Sequence, residues 1–355
     1  MNKKVKVLLM AGGRGSRLWP KSRRSLPKQF MFFNQQKSLF QQTLDLLQPH
    51  RDQIELFVLA PREFAPFVAA QAPEISGDRV IYEPAAHGTS AGLLFALLEL
   101  EERGAGLDDV VAVLPTDAYV GNAQQFWGCL MDAAHTAKTR DAIAMLGVTP
   151  TYPATGYGYI RVEKPPGAQA VPVEQFVEKP TRERAERFLN DGRYFWNCGI
   201  FVFTTGAVRR LYEQQQEAMV QHLVALRKRQ SQFTSHQLTE RYQQLPKSTF
   251  EFDVIEHAQN LYMVPAVFEW TDLGTWSALL SRTPSAPRSG SGSVFGLESE
   301  NNLVYCENGL VGLYGVRDLL VVQGKDAVFV CHRDKEQDIK KFLSELADAG
   351  FRDYL

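Results

Sequence analysis

Five short apolar, β-branched runs constrain this chain more than any other feature: VKVLLMA (5–11), IELFVLA (54–60), RVIYEP (79–84), VVAVLP (110–115) and AIAMLGV (142–148). None alternates polar with apolar residues, so each reads as a strand buried on both faces. Helical patterns fall between them, near 38–47, 63–70, 89–103 and 123–139. Strands separated by helices need crossover connections, and the pattern predicts an α/β fold: a doubly wound, mostly parallel sheet with helices on both faces. Ligands of such sheets gather at the carboxyl ends of the strands.

From about residue 150 the runs become YGYIRVEK, VEQFVEKP and CGIFVFT, interrupted by helices near 182–190 and 205–229, which reads as an extension of the same sheet. In the second helix Val208, Leu211, Met219, Leu223 and Leu226 recur at helical spacing and form a packing face. The stretch Thr283–Ser293, TPSAPRSGSGS, has almost no apolar side chain to bury and predicts a linker. Short β-rich stretches and a final helix near 335–348 follow it. The expected organisation is a domain over 1–282 with a change of character near 150, a linker over 283–293, and a small β-rich C-terminal module with a terminal helix over 294–355. That module is free to pack on its own domain or on a second copy of the chain, as in a homodimer.

Hydrophobic residues at 45% and charged residues at 22% exclude a disordered chain. The net charge of −1 conceals an asymmetry. Residues 1–44 hold no acid and ten bases, so the remainder carries −11. Those bases cluster in one loop region, and with a pI of 6.7 for the whole chain, nucleic acid is not the expected partner. Cys129, Cys198, Cys306 and Cys331 form no C-x-x-C pair, which favours a reducing cytoplasm over a disulfide scaffold. The apolar run after the N-terminal lysines is too short for a signal peptide, and nothing approaches the ~20 apolar residues of a membrane span.

The bases converge on the loop after the first run, AGGRGSRLWPKSRRSLPKQF (11–30). Gly12, Gly13 and Gly15 permit positive φ and close backbone approach, so the amides from Ala11 onward can form an anion-holding nest, with Arg14, Arg17 and Lys28 adding positive charge. Walker A would end in Gly-Lys-Ser/Thr, and the dinucleotide fingerprint would place a third glycine where Leu18 stands; the loop is neither.

This string resembles the opening motif of the sugar-1-phosphate nucleotidyltransferases, and Leu-Trp-Pro followed by Pro-Lys-Gln is similar to the mannose-1-phosphate guanylyltransferases in particular. The resemblance continues through FVEKP (176–180), WNCG (196–199), WTDLGTW (270–276) and GVRDLLVVQGKDAVFV (315–330). It implies a Rossmann-like nucleotidyltransferase domain with a nucleotide half over about 1–150 and a sugar-phosphate half over about 151–282. It also implies a catalytic Arg17 and Lys28, and a metal pair, Asp117 and Asp272, for Mg²⁺; read alone, an Asp after a strand is as well a cap or turn residue. Asp272 fits its motif closely, whereas Pro-Thr-Asp-Ala around Asp117 departs from the family's Pro-Ala-Asp-His.

Glu83, Pro84, Gly88 and Thr89 stand where the family contacts base and ribose. Glu83 can accept hydrogen bonds from guanine N1–H and the exocyclic amine. Thr89 also suits the cap of the helix starting SAGLLFAL. Gly156, Glu178, Lys179 and Asn197 stand where the family binds the sugar phosphate, although Glu-Lys-Pro alone is a common surface sequence. Glu251 occupies a position where the family more often has Asp, with Asp253 close by. Longer relatives carry an isomerase module, and Leu355 follows the last helix closely, so no isomerase activity is expected. The expected reaction transfers GMP from GTP to α-mannose 1-phosphate. The alternatives are the same chemistry on another nucleotide or on a heptose or glucose 1-phosphate, and a non-catalytic subunit that binds nucleotide sugars.

Overall fold

A computed structural model describes residues 3–13, 15–23, 25–33, 36–75, 77–164, 167, 169–281, 288–289 and 292–355. The chain forms two compact units that do not follow linear order. The first comprises residues 1–12, 45–115 and 120–270; the second comprises 13–44, 116–119 and 271–355.

The strands of the first unit are β1 (Val5–Met10), β2 (Ile54–Pro61), β3 (Val80–Glu83) and β4 (Val110–Pro115). A short β5 (Ala118–Val120), whose first two residues belong to the second unit, follows, then β6 (Ile143–Val148), β7 (Tyr159–Val162), β8 (Val171–Val177), β9 (Tyr194–Thr204) and β10 (Leu261–Pro265). Nine of them make one sheet in the order β3-β2-β1-β4-β9-β6-β10-β8-β7, with β7 also paired to β9. All five early runs are strands, but the sheet is mixed, not mostly parallel. The pairs β1–β2, β1–β4, β2–β3 and β6–β10 run parallel. β9 runs antiparallel to β4, β6 and β7, and β8 antiparallel to β7 and β10. A double-sided apolar run reports that helices cover both faces, and says nothing about strand direction. The later strands extend the same sheet, as the sequence predicts, and β9 enters its middle, between β4 and β6.

The helix Thr89–Glu102 buries ten of its residues, as its all-round apolar sequence requires. The expected helix over 205–229 is two helices, Thr205–Gln215 and Glu217–Lys228, broken at Gln216 where φ is −135°. Val208, Met219, Leu223 and Leu226 are buried with Tyr212 in the same core, so the break turns both apolar faces inward. No helix of the described residues is long and apolar enough to cross a membrane.

The second unit contains the strands β11 (Trp270–Asp272, from Thr271 onward), β12 (Arg288–Ser289), β13 (Ser293–Leu297), β14 (Leu303–Cys306), β15 (Leu310–Tyr314), β16 (Leu319–Gln323) and β17 (Val328–His332). β13 pairs in parallel with β15, and β12, β14 and β16 pair in parallel in turn, so alternate strands stack as coils of a β-solenoid, closed by antiparallel β17. Part of the expected linker is thus a strand, because solenoid pairing at β12 needs backbone amides and no apolar side chain; residues 283–287, 290 and 291 lie outside the described residues. The terminal helix is a 3-10 turn Arg333–Asp338 followed by Ile339–Asp348. Leu18, Trp19, Met31, Phe33 and Leu39, which follow the glycine loop, share one core with Leu273, Trp276, Tyr305, Leu320, Phe329 and Ile339. The Trp276 indole donates to the Trp19 carbonyl at 3.0 Å.

Candidate active site

In the second unit, three residues far apart in sequence meet. Lys28 begins a 3-10 turn and its side chain is 2% exposed; its ammonium lies 3.2 Å from Asp117 Oδ2 and 3.4 Å from Asp272 Oδ1. Asp117 sits in the turn before β5 and Asp272 ends β11, both partly open to solvent. Two glycines make the arrangement possible. A Cβ at Gly15, where φ is +63°, would fall 2.2 Å from Lys28 Cβ, and one at Gly274 would fall 2.6 Å from Asp272 Oδ2. Two carboxylates already gathered around one ammonium are hard oxygen donors facing a common cation, a donor set that suits a Mg²⁺ completed by phosphate oxygens and water. Among the described residues no group of three or more His, Cys, Asp or Glu is gathered as a metal cage would require.

Ala11 is buried after β1, and its amide is spent on the Leu59 carbonyl at 2.8 Å. A Cβ at Gly13 would meet nothing within 4 Å. Arg14 lies outside the described residues. Arg17 does not join Lys28: it donates to Gln337 Oε1 at 3.4 Å.

In the first unit the segment from Glu83 to Ser90 is clasped by residues 239–250. Tyr242 donates to Glu83 Oε2 at 2.9 Å, Thr239 to the Pro84 carbonyl at 3.1 Å, and His87 Nε2 to the Leu245 carbonyl at 2.5 Å. Gly88 has φ +103°, and a Cβ there would strike the Ser248 carbonyl oxygen at 2.2 Å. Gly88, not Thr89, is the helix cap; Thr89 Oγ1 instead accepts the Phe250 amide at 3.0 Å. Glu83 is 4% exposed, with its carboxyl turned inward. Burial pushes it up to about 8, against the Tyr242 hydrogen bond.

Glu178, Lys179 and Asn197 also lie in the first unit. The Asn197 amide donates to the Gly158 carbonyl at 2.8 Å, and a Cβ at Gly158 would fall 2.6 Å from Glu178 Oε2. That oxygen is buried with no hydrogen-bond partner among the described residues, while Oε1 accepts Lys179 Nζ at 2.5 Å. Lys179 has φ +45°, a conformation costly for a residue with a side chain, and the preceding Glu178 amide is held by Glu256 Oε1 at 3.0 Å. Burial and the Glu178 carboxylate raise the Glu251 carboxyl, whereas Asp253 accepts the Ser248 hydroxyl at 2.6 Å. The Glu251 carboxyl thus feels the Glu178 charge. Gly156 opens onto free space. Tyr157 stacks edge-on to Trp196 and Trp270 at 5.2 and 5.3 Å. Sequence reasoning missed Tyr242 and Glu256; their partners are 159 and 78 residues away, and no local motif marks them.

Residues 6–288 match the family described as Nucleotidyl transferase, and residues 292–346 match the MannoseP isomerase/GMP-like beta-helix domain. The chain belongs to the nucleotidyl transferase family. Its relatives include the mannose-1-phosphate guanylyltransferase ManC of Salmonella typhimurium, 32% identical over 98% of this chain and 74% of that protein. The mannose-1-phosphate guanylyltransferase of Escherichia coli K12 matches equally, and the xanthan biosynthesis protein XanB of Xanthomonas campestris is 31% identical. A crystal structure described as mannose-1-phosphate geranyltransferase from Thermus thermophilus aligns with a TM-score of 0.83 at 30% identity, covering 97% of this chain and 100% of that one. Within the nucleotidyl transferases, the chain is thus a member of the mannose-1-phosphate guanylyltransferase family.

Proposed function

We propose that this chain joins α-mannose 1-phosphate to GTP, giving GDP-mannose, a polysaccharide precursor, and pyrophosphate. The observation that carries the reading is the buried Lys28 ammonium between Asp117 and Asp272, a charge arrangement suited to a polyphosphate. A phosphate oxygen of the sugar phosphate attacks the α-phosphorus of GTP as the bond from that phosphorus to the β-phosphate bridging oxygen breaks. The nucleophile is already an anion, so no general base is needed. Catalysis consists of in-line positioning and charge neutralisation.

After Ala11, whose amide is already held by Leu59, the amides of Gly12, Gly13 and Gly15 line the triphosphate in this reading, and Arg17 exchanges its long hydrogen bond with Gln337 for the departing phosphates. Lys28 meets the charge growing at the reaction centre. Glu83, Pro84, Gly88 and Thr89 form the nucleotide segment, with the base and ribose against Pro84–Thr89. Glu178, Asn197 and the backbone at Gly156 bind the sugar, and Lys179 leaves Glu178 to hold the anomeric phosphate. Asp117 and Asp272 would hold Mg²⁺, which when bound supplies positive charge to the phosphates.

The family matches at 6–288 and 292–346 support functional boundaries at 1–282 and 294–355. Four free cysteines suit a reducing cytoplasm as the setting. Exposed Phe295, Leu297, Leu310 and Tyr314 on β13 and β15 support a homodimer. Pyrophosphate release over four nucleoside triphosphates and the 1-phosphates of mannose, glucose and heptose, with and without Mg²⁺, tests the reading. Release confined to GTP, mannose 1-phosphate and Mg²⁺ is expected; preference for another pair, or no release at all, overturns it.

A further inference from the structure

The segment that leaves the glycine loop carries two bases the reaction leaves unused, Lys21 and Arg23, and neither is a solvated charge: both side chains are 14% exposed. Lys21 pairs with Glu307 at 3.2 Å and donates to the Tyr305 hydroxyl. The Arg23 guanidinium pairs with Asp326, lies 5.4 Å over the Trp19 ring, and donates to the main-chain carbonyl of Tyr354. The Trp19 indole N–H donates to that same carbonyl at 2.6 Å. Trp19 is 5% exposed, and a buried indole N–H without an acceptor is costly, so the end of the chain satisfies a donor that stands shortly after Gly15. A glycine turns the chain to meet it. After the helix Ile339–Asp348, Gly350, at φ +94°, donates to the Ala347 carbonyl at 3.2 Å and Phe351 to the Leu346 carbonyl at 3.1 Å, and the 3-10 turn Arg352–Tyr354 follows.

We propose that residues 350–355 are a latch on the phosphate loop, and that Trp19 and Arg23 are positioning residues that carry its hold to Gly15 and Lys28. The proposal rests on the reading of that loop as a triphosphate site. The connections are short on both sides. Toward the glycines, the Leu18 amide donates to the Gly15 carbonyl at 3.0 Å and the Trp19 amide to the Ser16 carbonyl at 3.2 Å. Toward Lys28, the backbones of Arg23 and Leu26 bond to each other twice, at 3.2 and 3.1 Å, and Pro27 caps the turn that begins with Lys28. A glycine-rich loop has more conformational freedom to lose than other segments, and a loop held beforehand in its bound shape loses less on binding. The latch therefore acts on affinity for the triphosphate. Glu178 and Asn197 belong to the other unit, so affinity for the sugar phosphate is not expected to follow. Arg23 is not itself a phosphate ligand in this arrangement, because both its terminal nitrogens are committed, to Tyr354 and to Asp326.

The test compares the full chain with a chain ending at Gly350, with W19F, which keeps an aromatic ring and removes the N–H, and with the two changes combined. The KM for Mg-GTP is expected to rise about tenfold in the shortened chain, the scale of one lost hydrogen bond to a charged group, while the KM for mannose 1-phosphate stays within about twofold. W19F should raise the KM for Mg-GTP severalfold. The combined variant should be no worse than the shortened chain, because both changes remove the same contact. A tail that only adds stability would lower the melting temperature and leave both KM values unchanged wherever the chain is folded. That result overturns the proposal, as do equal rises in both KM values or additive losses in the combined variant. If the shortened chain fails to fold, R23Q takes its place in the same comparison. If even wild type does not turn over GTP, the loop reading fails instead, and amide hydrogen exchange still tests the latch. Exchange at Leu18, Trp19 and Leu26 should quicken in the shortened chain while β14 and β16 keep their rate; no change at those amides, or equal quickening throughout, overturns it.

Discussion

Lys28 and Lys179 are both lysines paired with carboxylates, and the shorter pair is the weaker device. Lys179 lies 2.5 Å from Glu178, yet its side chain is 55% exposed, its partner is the adjacent residue, and water can replace the contact. Exposed pairs of this kind contribute about 0–1 kcal/mol. Lys28 stands further from its carboxylates, at 3.2 and 3.4 Å, but is 2% exposed and serves two of them. Burial fixes its position before any substrate arrives, which is what electrostatic catalysis requires. Lys179 is a charge that can be recruited; Lys28 is one already in place. Contact distance and solvent access rank the two pairs in opposite order.

This contrast is most easily broken at Lys28. Lys28→Ala should lower kcat by ~10²–10³, about 3–4 kcal/mol, with folding intact by circular dichroism. Near wild-type turnover would remove Lys28 from the reaction centre. An intermediate effect is expected from Gly158→Ala, whose methyl would displace the Glu178 carboxyl. The KM for mannose 1-phosphate should rise about tenfold while that for GTP stays within twofold, and an equal rise in both would deny Glu178 a sugar-side role. The smallest change belongs to Lys179→Ala, with the KM for sugar phosphate rising severalfold and more steeply at low salt, as for a solvent-screened point charge. A loss as large as that of Lys28→Ala would erase the distinction.

The sequence made strand positions legible, because double-sided apolar runs have few other uses, but left strand direction unreadable. The same limit applies within the site. Lys28, Asp117 and Asp272 stood out through motifs, and the fold gathers them. The inward turn of Glu83 was hidden, because the hydroxyl that holds it comes from Tyr242, 159 residues later. The choice between Glu251 and Asp253 was hidden for a related reason. Both lie in one four-residue helix, and which carboxyl feels the Glu178 charge depends on the helix's rotation rather than on composition.

The core shared by Trp19 and Trp276 has a bearing on how the enzyme would fail under stress. Residues 13–44, including Lys28, belong to the same compact unit as the solenoid strands, and Leu18, Trp19, Met31, Phe33 and Leu39 share that unit's core. Local opening proceeds through cooperative blocks, so amides beside Lys28 should exchange with solvent at the rate of β14 and β16. Heating that loosens the solenoid would then silence turnover while the nine-stranded sheet still gives a folded signal. A loss of activity in this protein would be a gauge of its C-terminal module.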